Sequence, residues 1–408
     1  MAGLKVVAIG GGTGLPVILR GLRELIRRGE PEAARLSPDD ITAIVSVADD
    51  GGSSGRLVDT FETLPPGDLR NCLLALADED AAPVLHKFFG YRFSEGEDGE
   101  LAGHSVGNLI ITALTRLNGN DFRQAILDVA RMLSLRGRIL FPTLARVVLC
   151  ARLLDGQVVC GESRIGRRNS AARIESVYLG ARMAGDFRCV PPPFLPPAFP
   201  EAVEAVRAAD VIILGPGSLF SSVVPNLLVP ELAQAVAERA AERPLFYVCN
   251  IMTEPGETDG FSVGDHVRAI RRHANIPIPW CIANRQRIPD ELVQRYARAS
   301  LLAGYRAVRQ SLDDVAVSAE AGSLEPGALI EHAESQGVRL QRLAQLMREA
   351  MNLQIQVLPS PERDANLNGT EVVEVDAVQE AEVSDQGRLK RVIRHDALAV
   401  LRAVLARV

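Results

Sequence analysis

Residues 4–9, apolar and rich in β-branched side chains, run straight into Gly10-Gly11-Gly12-Thr13-Gly14, and from there into Leu15, Ile18, Leu19, Leu22, Leu25 and Ile26 at helical spacing. A buried-type strand, a glycine turn and an amphipathic helix in immediate succession open a βαβ unit and leave few other folds available. Arg27 and Arg28 close the helix, where its dipole favours cations. The pattern recurs. Residues 41–47 form a continuous apolar run ending in a polar glycine loop (residues 48–56), residues 209–214 lead into Gly215-Pro216-Gly217-Ser218, and residues 244–249 lead into Asn250-Ile251-Met252-Thr253. Unbroken apolar strands suit a parallel sheet covered on both faces. The expected fold is therefore α/β: a Rossmann-like, doubly wound, mainly parallel sheet with ligands at the carboxyl ends of its strands.

Composition narrows the function. Aromatics at 4% and a net charge of −6, with no basic stripe, argue against nucleic acid as the main partner. The six cysteines are scattered without a CxxC pair, so reduced, mostly buried thiols are expected. The apolar run at 4–9 is too short for a signal-peptide core, and no stretch approaches the roughly 20 apolar residues of a membrane helix, so a cytoplasmic protein without membrane insertion is expected.

A diphosphate needs converging backbone N–H donors, which a glycine loop entering a helix supplies. Gly11, Gly12, Thr13 and Gly14 meet that need, although a plain tight turn explains the same glycines, and Leu15 stands where the dinucleotide fingerprint has its third glycine. Asp49 and Asp50 end a strand, so one side chain faces the cleft. It contacts a ribose or sugar hydroxyl, or a magnesium ion; the alternative is an aspartate that merely opens a loop. Arg70 and Asn71 sit beside a helix start, Arg70 as a phosphate contact or as a surface arginine next to a capping Asp68. Ser105 is the natural N-cap of the helix carrying Asn108. His104 reads as structural, and no nucleophile with a matched base is evident, so no catalytic residue is assigned.

Three regions are expected: a nucleotide-binding core at 1–304, an inserted and partly acidic module at 305–378, with an amphipathic segment near 339–353, and a helical segment at 379–408 that returns to the core. Residues 191–200, rich in proline, read as a stiff connector.

The blocks GGGTGL (10–15), VADDGGSSGRL (47–57), PPGDLRNCL (65–73), GHSVGNLI (103–110), GES (161–163), GPGSLFSSVVPNLLVP (215–230) and CNIMTEPGETDGFSVGDHV (249–267) resemble the YvcK-type gluconeogenesis factors, in the superfamily of the 2-phospho-L-lactate transferases. That resemblance implies a regulator, not a catalyst, that binds UDP-N-acetylglucosamine, steers carbon between central metabolism and cell-wall precursors, and affects cell shape. No cofactor is then required. The implied contacts are the glycine loop, Asp49, Asp50, Ser53, Ser54, Arg70, Asn71, Asn108, Gly217, Ser218, Asn250 and, from the family's tyrosine and arginine, Tyr296 and Arg394. The module at 305–378 separates the last two and must loop out for them to meet. A protein partner in amino-sugar or cell-wall synthesis is implied; a homo-oligomer and the choice of uracil or guanine stay open. The alternative is a phospholactate-transferase-like enzyme with a nucleotide donor and magnesium on Asp49 or Asp50. A nicotinamide oxidoreductase has only the glycine turn in its favour.

Overall fold

A computed structural model describes residues 3–94, 99–166, 172–183, 186–187, 193–289, 292–293, 356–367, 369–385 and 388–408. The chain opens with β1 (Val6–Gly10), α1 (Leu15–Arg28) and β2 (Ile41–Val45). Every residue of both strands is buried, as strands covered on two faces require. In α1 the apolar stripe Leu15, Ile18, Leu19, Leu22 and Leu25 is fully buried, and the helix ends at Gly29, whose left-handed backbone lets its N–H bond the carbonyls of Ile26 and Leu25. Each such leucine contributes about 1.5–3 kcal/mol by burial.

Helices α2 (Gly52–Phe61), α3 (Gly67–Leu76), α4 (Pro83–Gly90), α5 (Val106–Leu117) and α6 (Phe122–Met132) follow before β3 (Arg138–Leu140). Next come β4 (Val147–Leu153), β5 (Val158–Cys160), the single turn α7 (Glu162–Ile165), β6 (Ile174–Met183) and β7 (Asp186–Phe187), which form a separate sheet in the order β5-β4-β6-β7. Cys150 and Cys160 face each other across β4 and β5, and both are disulfide-bonded, contrary to the expected reduced thiols. Nine residues of hairpin separate them in sequence, so no CxxC spacing announces the pairing; Cys72, Cys249 and Cys281 are free and buried.

The chain then re-enters the main sheet through α8 (Pro200–Ala208), β8 (Val211–Leu214), a π turn (Leu219–Val223) with α9 (Val224–Leu227), α10 (Pro230–Ala240), β9 (Leu245–Val248), α11 (Val263–Ala274), β10 (Trp280–Asn284) and β11 (Glu371–Val375). Among the described residues this sheet runs β11-β10-β9-β8-β1-β2-β3, and every pairing is parallel. From β1 the chain builds outward on one side through β2 and β3, and on the other from β8 to β11. The switch point lies between β1 and β8, with Val6 opposite both Ile41 and Val211.

The expected division of the chain changes at its C-terminal end. All of 305–355, including the amphipathic segment near 339–353, lies outside the described residues, but residues 371–375 are the edge strand of the core sheet and not part of a separate module. Residues from 379 begin as a hairpin, β12 (Val378–Asp385) with β13 (Arg388–His395), and only α12 (Ala397–Leu405) is helical. Charged and apolar residues alternate over 380–383, the period of a strand. The acidic residues there have partners: Asp364 accepts from the N–H of Gly264 and of Ser360 at 2.7 Å each, and Asp376 forms a two-pronged pair with Arg285 at 3.0 Å. Helix α12 packs on α1 at Gly21, where a Cβ would come within 2.5 Å of that of Ala397.

Candidate ligand-binding site

At the switch point the loops after β1 and β8 pass in contact. A Cβ on Gly14 would lie 2.4 Å from the Pro216 carbonyl oxygen, and one on Gly11 would lie 2.6 Å from an Asp68 carboxylate oxygen. The glycine run is therefore both a close crossing of backbones and an open set of amides. Gly12, at φ +62°, aims its N–H at Asp68 Oδ2, 2.6 Å away. Thr13 is exposed at the rim.

Beside this loop lies a polar cleft of about 170 Å3 between the ends of β2, α2, α3 and α5, lined by Asp49, Gly51 to Ser54, Gly67, Asp68, Arg70, Asn71, Arg92 and Asn108. Asp49 and Asp50 lie in the loop four and five residues past the end of β2, not in the strand, and take different partners. Asp49 lines the cleft and accepts the Gly51 N–H at 2.8 Å and the Ser54 hydroxyl, while Asp50 accepts the N–H of Ser163 at 2.8 Å and so ties the loop to α7. Ser53 lies 3.0 Å from His104 Nδ1 and accepts from Asn108 Nδ2 at 3.0 Å. Ser105 caps α5 by accepting the Asn108 N–H at 3.2 Å and also receives an Arg70 Nη1 donor. Arg70 Nη2 donates to Asn71 Oδ1 at 2.6 Å, and Asn71 Nδ2 reaches the Gly12 carbonyl at 3.5 Å. Arg70 and Asn71 lie early in α3, beside its start as expected, and Arg70 is 8% exposed rather than a surface arginine.

The electrostatics set this cleft apart. Burial, then repulsion from Asp49, pushes Asp68 up to about 7. Burial, then repulsion from Asp49, Asp50 and Asp68, pushes Glu162 up to about 8, partly opposed by a hydrogen bond from Ser221. Asp49 is also raised, first by burial, and Arg70 falls to about 10, first by burial and then by repulsion from Arg92. Burial lowers His104, whose Nδ1 lies against the Ser53 hydroxyl. Perturbation of this kind collects where a protein binds charge or moves protons. Two buried polar atoms of residues that line the cleft have no partner: Arg70 Nε and Asn108 Oδ1. Among the described residues no three His, Cys, Asp or Glu side chains are arranged as metal ligands. Magnesium commonly uses only one or two carboxylates beside phosphate oxygens, and the raised proton affinity of Asp49 and Asp68 suits a cation there.

A second group of expected contacts sits across the switch point. Gly217 and Ser218 follow β8, and Ser218 hydrogen-bonds Glu254. Asn250, nine-tenths buried after β9, has an unpaired Oδ1. Arg394 on β13 is half-buried, and its neighbour His395 donates from Nε2 to the Cys249 carbonyl at 2.9 Å, which brings β13 to the end of β9. Tyr296 lies outside the described residues. Sequence reasoning treated Asp68 only as a cap and gave Glu162 no role. The available signal for Glu162 was its place directly after an apolar run and a glycine (Val158–Cys160, Gly161).

A family model described as 2-phospho-L-lactate transferase CofD matches residues 6–321. The gluconeogenesis factor of Bacillus subtilis (strain 168) is 42% identical over 297 residues, covering 72% of this chain and 83% of that protein. A putative gluconeogenesis factor of Nostoc is 48% identical over 268 residues, covering 66% of this chain and 52% of that protein. A crystal structure of a UPF0052 family member from Bacillus halodurans superposes with a TM-score of 0.72 at 31% identity over 99% of both chains. With this match running through β1, the acidic loop and the cleft, the chain belongs to the 2-phospho-L-lactate transferase CofD family, among its gluconeogenesis-factor relatives.

Proposed function

We propose that this chain is a non-catalytic, cytoplasmic binder of UDP-N-acetylglucosamine that regulates carbon flux between gluconeogenic central metabolism and cell-wall precursor synthesis, and thereby cell shape. The observation that carries the reading is the meeting of unpaired and reassignable donors at the switch point: the Gly12 amide, Arg70 Nε and the Ser53 and Asn108 pair. The glycine loop and Arg70 take the diphosphate, the loop from Asp49 to Ser54 with Asn108 orients ribose or sugar, Gly217, Ser218, Asn250 and Arg394 close the far side, and Tyr296 is a further contact that the resemblance alone implies. The names of the relatives support a metabolic role. Occupancy biases a surface for a protein partner in amino-sugar or cell-wall synthesis, which requires different affinity for two conformations. Isothermal titration with UDP-N-acetylglucosamine tests the ligand; no heat at millimolar concentration ends the proposal.

A transferase reading is favoured by one observation, the buried carboxylates Asp49, Asp68 and Glu162 with raised proton affinity. In it Asp49 would hold a magnesium ion, which would neutralise phosphate charge, and Glu162, in its deprotonated form, would accept a proton from an alcohol. A turnover assay with a guanylylated donor and a deazaflavin acceptor separates the readings: product formation establishes the transferase.

A further inference from the structure

Asp68 makes a contact that neither reading uses. Its Oδ2 accepts the Gly12 N–H at 2.6 Å, and the same oxygen fills the space that a side chain at position 11 would need. A glycine-loop amide at the head of a helix is the donor that a phosphoryl oxygen seeks, and a carboxylate oxygen offers it the same charged acceptor. Two residues on, Arg70 is more than nine-tenths buried in the wall of the same cleft. Its Nη atoms serve Ser105 and Asn71, while its Nε–H has no partner. A buried guanidinium donor left unmade is costly unless something arrives to accept it.

We propose that the Asp68 carboxylate holds the place of a phosphoryl oxygen, so that a bound phosphate takes the Gly12 N–H together with Arg70 Nε–H and Asp68 must leave that amide. The exchange deepens the sugar-nucleotide reading, on which it rests, by assigning Asp68 as the residue that sets ligand specificity. A neutral sugar hydroxyl competes poorly with a carboxylate for an amide, whereas a diphosphate competes well. The subsite thus admits strong anionic acceptors and turns away uncharged ones. Where it is ionised, Asp68 also adds a like charge beside Asp49 that an incoming anion must overcome.

The test uses the full chain, inorganic pyrophosphate as probe and a chelator to exclude divalent cations. Asp68→Asn keeps the shape and removes the charge, so it is expected to bind pyrophosphate about tenfold more tightly than wild type, the effect of roughly 1.4 kcal/mol of relieved repulsion. In a crystal structure of the wild type with pyrophosphate, the Gly12 N to Asp68 Oδ2 contact is expected to open beyond hydrogen-bonding distance. Equal or weaker pyrophosphate binding by folded Asp68→Asn, or no binding by either protein, overturns the inference. If the variant does not fold, the wild-type complex decides alone: an intact Gly12 to Asp68 bond overturns it, an opened one supports it. UDP-N-acetylglucosamine bound with that bond intact sinks the exchange and leaves the sugar-nucleotide reading standing. Pyrophosphate exchange without sugar-nucleotide binding does the reverse.

Discussion

Two hollows in this molecule invite comparison. The larger, about 490 Å3, lies between β6, α9, α10 and the end of α11, and is walled mainly by apolar side chains such as Leu179, Phe194, Leu227 and Ala237. Its one histidine, His273, is fully engaged, accepting the Val177 N–H and donating to the Ala269 carbonyl. The smaller, about 170 Å3, is walled by carboxylates, a buried arginine and loop amides, with Arg70 Nε and Asn108 Oδ1 unpaired. Size alone points to the first. Unmade polar contacts and carboxylates held above their ordinary range point to the second, because only there does a ligand relieve a cost the fold already carries.

The sharpest way to break that comparison is Gly14→Ala. Its new Cβ collides with backbone of the Pro216–Gly217 loop, not with a yielding side chain, so a loss of about 3 kcal/mol is expected from the urea midpoint, together with loss of nucleotide binding. A midpoint within error of wild type would show that the two loops are not rigidly crossed. Next in size, Arg70→Met removes the buried cation between Asp49 and Asp68 and leaves Ser105 and Asn71 without their donor. About 2 kcal/mol of stability should go, and titration should detect no binding of a diphosphate; retained binding would remove Arg70 from the site.

The third prediction contrasts buried acids with surface ones. Glu24, paired with Arg27 and Arg28 on the surface of α1, is held down to about 2, so it favours folding above its unfolded value near 4 and that contribution is lost as pH falls. Asp68 and Glu162, raised to about 7 and about 8, keep protons that the unfolded chain releases near 4. Their contribution is fully present below the unfolded value and is lost as pH rises through 7 and 8. Stability measured in urea is expected to peak near pH 5 and decline toward 8. Glu162→Gln should flatten that decline by up to about 1.4 kcal/mol per pH unit, and superimposable wild-type and variant curves from 5 to 8 would refute the assignment. Smallest of all, Ala237→Leu in the apolar hollow is expected to change stability by less than about 0.5 kcal/mol and leave ligand titrations untouched; a shifted affinity would reconnect the two hollows.

Much of the core was legible because its signals are local. The helix read from Leu15 to Ile26 is α1 at Leu15–Arg28, and the apolar runs before residues 48, 215 and 250 are β2, β8 and β9. Ser105 caps α5 as its residue type promised. Of the site, Asp49, Ser53, Ser54, Arg70, Asn71 and Asn108 do line one cleft. Hidden were the roles of Asp68 and Glu162, the disulfide-bonded Cys150 and Cys160, and the return of residues 371–375 to the sheet edge, since each depends on a partner remote in sequence.

From its residues alone this chain determined a strand, a glycine turn and a helix in series, a parallel sheet buried on both faces, and polar loops at the carboxyl ends of its strands. Periodicity and backbone permissiveness operate over a few residues and need no knowledge of the whole. Only the tertiary structure decided that Gly12 faces a carboxylate from α3, that Glu162 from the turn after β5 joins Asp49 and Asp68, and that Arg70 is buried with a donor to spare. Desolvation and charge repulsion depend on what surrounds a group in space, so the same aspartate that reads as a helix cap in sequence becomes, once enclosed, an acid raised to about 7.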